Sequence, residues 1–212
     1  MKTKVILSAM LAVILTAGSL AQETNHKDHI WTYQGKKKVN TIGLYAGIYG
    51  SYSEVMDKPS SFLGARAGLV FNNRWTIGLA GYALNFDRKL TALSEEGAYR
   101  LEGGYSGLLV EYIKPFRQWG KLSVSVVSGM GLVQYRYDKE SREGREWYNE
   151  IIDKENFAVF EPGMEFQVRL AGNWWIGAYA TYRTTSPVDF KGADEDFLEN
   201  YTVGASIKLG VF

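Results

Sequence analysis

The 212-residue chain reads as an all-β protein, an antiparallel up-and-down transmembrane β-barrel of eight strands. Three observations predict it. Segments of about ten residues alternate between apolar and polar or small side chains, so each strand has two chemically opposite faces. The connections between segments alternate between short and long. After Leu15 no apolar run approaches the roughly 20 residues of a membrane-spanning helix, which leaves a closed barrel as the way to satisfy the backbone in hydrocarbon.

Residues 1–21 read as a secretory signal peptide. Lys2 and Lys4 supply the positive start, Val5 to Leu15 the apolar stretch and Ser19-Leu20-Ala21 the small-residue cleavage site. Residues 22–40 follow as an N-terminal periplasmic segment and residues 41–212 as the barrel. Strands are predicted over 41–52, 61–71, 75–86, 104–113, 122–137, 157–170, 174–183 and 200–211. Tight turns fall at 72–74, 114–120 and 171–173, where Asn, Pro and Gly suit turn geometry. Longer polar loops fall at 53–60, 87–103, 138–156 and 184–199. Short periplasmic turns, long outer loops and an even strand number place both termini in the periplasm.

Sidedness is consistent along the chain. In the last strand Tyr201, Val203, Ala205, Ile207, Leu209 and Val211 share one face, and Thr202, Gly204, Ser206, Lys208 and Gly210 share the other. The apolar faces of the remaining strands include Leu44, Ile48, Leu63, Leu69, Ile77, Leu79, Leu108, Val110, Val124, Val126, Met164, Phe166 and Ile176, and carry no charge. Every mid-strand charge lies on the opposite side: Arg66, Glu111, Glu161, Glu165, Arg169, Arg183 and Lys208. A soluble lipocalin-like binder would use the same alternation inverted. Aromatic positions favour the membrane, because Phe71, Trp75, Phe116, Trp119, Trp174 and Phe212 gather at one set of strand ends and Tyr52, Phe62, Phe86, Tyr137, Phe157, Tyr182 and Tyr201 at the other.

With its alternating segments, such as Ser61 to Gly68 and Tyr105 to Tyr112, the chain resembles the small outer-membrane β-barrel proteins, the OmpX-like and OmpA transmembrane-domain group, and uncharacterised barrels of Bacteroidota-type bacteria. The resemblance implies the outer membrane of a Gram-negative bacterium, outer-membrane lipids and lipopolysaccharide as surroundings, and the barrel-assembly machinery as a partner of the C-terminal strand. One departure stands out: Phe212 shares parity with Lys208 and Gly210, not with the lipid-facing residues.

An eight-stranded barrel has an interior just wide enough for side chains. The three acids and four bases inside it are therefore expected to pair across the lumen as a plug, since an unpaired buried charge is costly. The alternative use of the same charges is a narrow pore or transport path. Glu161 and Glu165 could be read as an acid/base pair, with ion pairing as the plainer expectation. A lipid-modifying enzyme of this architecture would need a general base, yet His26 and His29, the two histidines, precede the first strand. No catalytic, cofactor or metal residue is assigned, and two histidines on a tail do not make a closed metal site.

Without the signal's two lysines the chain holds 22 basic against 23 acidic side chains, a balance that suggests no nucleic-acid partner. It contains no cysteine, which excludes disulfides, thiolate metal sites and an N-terminal lipidated Cys. Lys36-Lys37-Lys38 is either a contact to anionic headgroups or a hydrated run. The outer loops are charged and net acidic, so a hydrated surface is expected there. Within them Trp147, Tyr148, Ile151 and Ile152 form an apolar cluster, either a partner contact or the top of an extended hairpin. The functional expectation is a non-enzymatic barrel acting in envelope integrity or through its outer loops on a surface ligand that the sequence does not identify.

Overall fold

A computed structural model describes residues 33–35, 38–56, 58–85, 99–117, 119–137, 151–189 and 193–211. The signal-peptide reading of 1–21 lies outside the described residues, as do His26, His29, Lys36 and Lys37. Within the N-terminal segment, β1 (Tyr33–Gly35) and β2 (Lys38–Asn40) form a separate two-stranded sheet.

The remaining strands are β3 (Ile42–Val55), β4 (Lys58–Phe71), β5 (Trp75–Asn85), β6 (Tyr99–Arg117), β7 (Gly120–Tyr137), β8 (Ile151–Ala171), β9 (Trp174–Thr185) and β10 (Asn200–Val211). Each pairs antiparallel with its chain neighbours, and β10 closes on β3 from Thr202↔Ser53 to Val211↔Leu44, which makes an eight-stranded barrel with no free edge. Following partners from Ile42 through Phe71, Trp75, Tyr112, Val124, Met164, Ala180 and Val203 returns to β3 at Tyr52, ten residues further on. That stagger obliges the strands to tilt, in the roughly 35–45° range of closed barrels.

Local chemistry sets the turns at one end of the barrel, here the turn end. Asn72 and Asn73 adopt φ of 52° and 56°, the left-handed pair at the centre of the turn that Arg74 N closes by donating to Phe71 O at 3.0 Å, and Gly172 takes φ 51° in the β8–β9 turn. At the opposite, loop end the strands run further than alternation predicts. The expected loop at 53–60 is mostly strand, paired to Val55↔Lys58 around Met56. β6 starts at Tyr99 and β8 at Ile151, inside the segments read as loops 87–103 and 138–156. These extensions carry Glu102, Asp153, Lys154 and Glu155, whose ladder bonds come from the backbone and need no apolar face. At the turn end β6 likewise continues to Arg117, with a register shift between Pro115 and Arg117, so the turn read as 114–120 is shorter.

The two faces separate as their parity dictates. Leu63, Leu79, Leu108, Met130 and Met164 are each 60% or more exposed, whereas Tyr49, Leu109, Gln167 and Val127 inside are fully buried. This is the inverse of a soluble ligand-binding barrel. Trp75 packs on Tyr112 and Phe116 on Trp119 at the turn end (4.9 and 6.3 Å between ring centroids), and Tyr182 on Tyr201 at the loop end (4.8 Å). Two aromatic expectations are corrected: Phe62 and Phe157 point into the lumen, each 4% exposed. Phe157 lies opposite Gly131, where a Cβ would overlap its ring, so the glycine is what admits it. Phe86, Phe212 and the Tyr137 side chain lie outside the described residues.

Replacing outward Leu79 with Arg is expected to cost roughly 2–4 kcal/mol near the midplane of a bilayer, while Thr181→Ser on the inner face is mild. Urea titration of the protein folded into liposomes measures both, and equal effects would refute the face assignment.

Candidate functional site: the charged lumen

The strands project their inward charges into one buried cluster. Lys208 on β10 reaches Glu165 Oε2 on β8 at 2.7 Å and Glu111 Oε1 on β6 at 3.3 Å, so one ammonium joins two carboxylates. All three side chains are at most 2% exposed. Gly47 faces Lys208 across the β10–β3 ladder, and a Cβ there would press on the lysine stem. Glu165 also accepts hydrogen bonds from Tyr49 Oη (3.3 Å) and from Ser206 Oγ.

Nearer the loop end a second group forms around Arg66 on β4. Its Nη2 lies 3.9 Å from Glu161 Oε1, its Nε donates to Tyr82 Oη, and its Nη1 donates to Ser125 Oγ at 3.3 Å. Tyr105 donates to the other oxygen of Glu161. The guanidinium sits over the Tyr49 ring at 4.5 Å and within 6 Å of the Tyr82 and Tyr179 rings, a cation–π cage that adds attraction where water is excluded. Gly64 makes this possible, because a Cβ at that position would overlap Tyr82. Glu161 and Glu165 thus face the same lumen but answer to different cations, and neither stands free as a general base.

Above this polar layer the loop end is sealed by apolar side chains. The β9–β10 connection, read from sequence as a hydrated acidic loop, folds over the mouth and buries Val188, Phe197 and Leu198. Asp194, Glu195 and Asp196 remain exposed, so the loop's charge faces outward while its apolar residues turn in. Met56 N donates to Phe197 O (3.4 Å), and Arg183 Nε donates to Leu198 O (2.8 Å). Arg183 is 1% exposed and stacks on Phe62 at 4.3 Å, so it anchors the cap and makes no ion pair among the described residues. The void beneath, lined by Phe62, Tyr105, Phe157, Arg183 and Leu198 among others, measures about 10 Å³, room for about one water.

Of the seven charges expected inside, Arg66, Glu111, Glu161, Glu165, Arg183 and Lys208 are buried in the lumen. Arg169 is not. It is exposed at the turn end, where the β8–β9 register shifts between Arg169 and Ala171, and its Nε donates to Gly172 O at 2.6 Å. Alternation missed Lys121, which is 9% exposed with its Nζ 3.8 Å from the Trp175 ring centroid. It precedes the predicted start of its strand, although it shares parity with Ser123 and Ser125. Tyr82 and Tyr105 also went unassigned, though their parity with Ala80 and Gly107 was enough to place them inside. Trp147 and Tyr148 lie outside the described residues. Ile151 and Ile152 belong to the start of β8, but their side chains are outside the described set.

The barrel superposes on the crystal structure of Neisserial surface protein A with a TM-score of 0.53 at 8% identity, covering 81% of this chain and 99% of that one. The likeness is one of fold: an eight-stranded transmembrane β-barrel. Lower scores relate it to Ail, the attachment invasion locus protein of Yersinia pestis (TM-score 0.43, 13% identity, 80% and 95% covered). They also relate it to the outer membrane protein OprG of Pseudomonas aeruginosa (TM-score 0.45, 9% identity, 80% and 95% covered). No protein-family model and no curated protein matches the sequence.

Lys208→Met removes the one cation between two buried carboxylates and is expected to destabilise the barrel by about 3–5 kcal/mol. Adding Glu111→Gln and Glu165→Gln in the same chain should recover much of that loss. Denaturant titration of the single and triple variants tests the coupling, and a triple variant less stable than Lys208→Met would contradict it.

Proposed function

We propose that this chain is a non-enzymatic outer-membrane barrel whose lumen is a structural plug, and which acts in envelope integrity or surface interaction through its loop end. The observation that carries the proposal is the paired charge cluster buried in the lumen beneath apolar side chains of the loop end. The Lys208–Glu165–Glu111 and Arg66–Glu161 groups occupy the middle of the lumen and the Val188, Phe197 and Leu198 cap closes its loop end. A wall with an uncharged apolar belt and aromatic collars at both ends supports placement in the outer membrane. In that setting outer-membrane lipids and lipopolysaccharide surround the wall, and the assembly machinery receives the β10 strand. Export by cleavage after Ala21 accompanies this reading.

The non-enzymatic reading is supported by the absence of histidine from 41–212 and by the commitment of each lumenal carboxylate to a buried partner. In planar bilayers the mature protein is expected to give no steady single-channel steps. Conductance abolished by Glu161→Gln or Arg66→Gln would replace the plug with a pore. Incubation with labelled phospholipid or lipid A should leave both unchanged, and turnover would establish an enzyme instead.

A further inference from the structure

The two ends of the barrel differ in charge far more than the near-neutral total suggests. The segments that form the turn end, 70–76, 113–121 and 168–174, contain Arg74, Lys114, Arg117, Lys121 and Arg169 and not one acid. The three carboxylates of the strand interiors, Glu111, Glu161 and Glu165, are engaged by Lys208 and Arg66 inside the lumen and offer the rim no compensation. The loop segments hold most of the remaining acids. Strand pairing puts exposed cations on all three turns, Arg74 between β4 and β5, Lys114 at the β6–β7 turn and Arg169 at the β8–β9 turn, while Lys121 turns inward onto Trp175. Arg74 and Lys114 are exposed.

A ring of aromatic side chains shares this level. Trp75, Phe116, Trp119 and Trp174 are between 44% and 66% exposed, with Leu170 at 71%. Aromatic rings at headgroup depth beside long cationic stems are the combination that holds a protein at a membrane interface, and cations there attract anionic lipid. We propose that the turn end is a binding rim for anionic phospholipid headgroups of the leaflet it faces, selecting them over zwitterionic ones. This rests on the membrane reading above and adds to it a lipid class and a set of residues. The rim differs from the lumen in being exposed, and from the loop end in sign.

The test uses the mature chain reconstituted in bilayers of brominated and plain lipid, with tryptophan quenching giving the relative affinity for brominated phosphatidylglycerol over brominated phosphatidylcholine. Wild-type protein should prefer phosphatidylglycerol several-fold at low salt, and the preference should fall as salt is raised. Neutralising Arg74 and Lys114 together to Gln should remove most of that several-fold preference. The single changes Arg74→Gln and Lys114→Gln at exposed positions should each show part of that loss with the barrel intact by its resistance to unfolding in detergent. A control with Lys58 and Lys154 changed to Gln at the loop end should keep the preference. A wild-type protein quenched equally by both lipids, a preference unmoved by the turn-end changes, or one lost equally in the control would overturn the rim while leaving the barrel reading in place. Absence of quenching by either lipid would mean no insertion, and would sink both.

Discussion

A charge cannot face hydrocarbon without large cost, and in this chain every charged side chain in the middle of a strand must therefore go inward. The lumen of an eight-stranded barrel leaves it little space and almost no water. The solution is charge sharing at short range: one ammonium between Glu165 and Glu111, one guanidinium beside Glu161 and beneath aromatic rings. The glycines follow from the same constraint. Gly47, Gly64 and Gly131 leave out a Cβ where Lys208, Tyr82 and Phe157 need the volume. Wall curvature, lumenal packing and charge compensation are thus one problem with one joint answer.

Under the proposed plug, the surfaces are where the barrel meets other molecules. The cap formed by Val188, Phe197 and Leu198 adds an apolar seal to the ionic one. Arg183 ties the cap to the barrel wall, since its Nε donates to the Leu198 carbonyl while its face stacks on Phe62. The cap therefore stabilises the barrel through a buried side chain as well as closing it. What remains free to meet other molecules is the belt, the acidic loop end and the basic turn end, three surfaces of different chemistry on one small wall.

The legible and illegible parts of the chain divide by the range of the interaction involved. The apolar belt was legible because parity is local: Leu79 faces out since Gly78 and Ala80 face in, whatever the partner strand is. Most of the lumenal charges were legible for the same reason. Strand ends were not, because Glu102, Asp153 and Glu155 are polar by any local measure and are held in strands by ladder bonds to a neighbour. Arg169 misled for a related reason: its parity is inward, but it stands where a register shift ends the ladder and the lumen opens. Phe62 and Phe157 looked like collar residues by position along the strand, although their parity already pointed inward.

From sequence alone come the number of crossings, the uncharged outer wall and the identity of most of the charges that have to be hidden. These depend on the period of a strand and on the cost of a charge in oil, both properties of a short stretch of chain. Only closure of the sheet decided which cation answers which carboxylate, that Phe197 and Leu198 fold back over the mouth, and that Arg74, Lys114 and Arg169 from three distant turns share one end of the barrel. Those outcomes depend on a ten-residue stagger accumulated around eight strands, and no local pattern encodes a sum taken over the whole circuit.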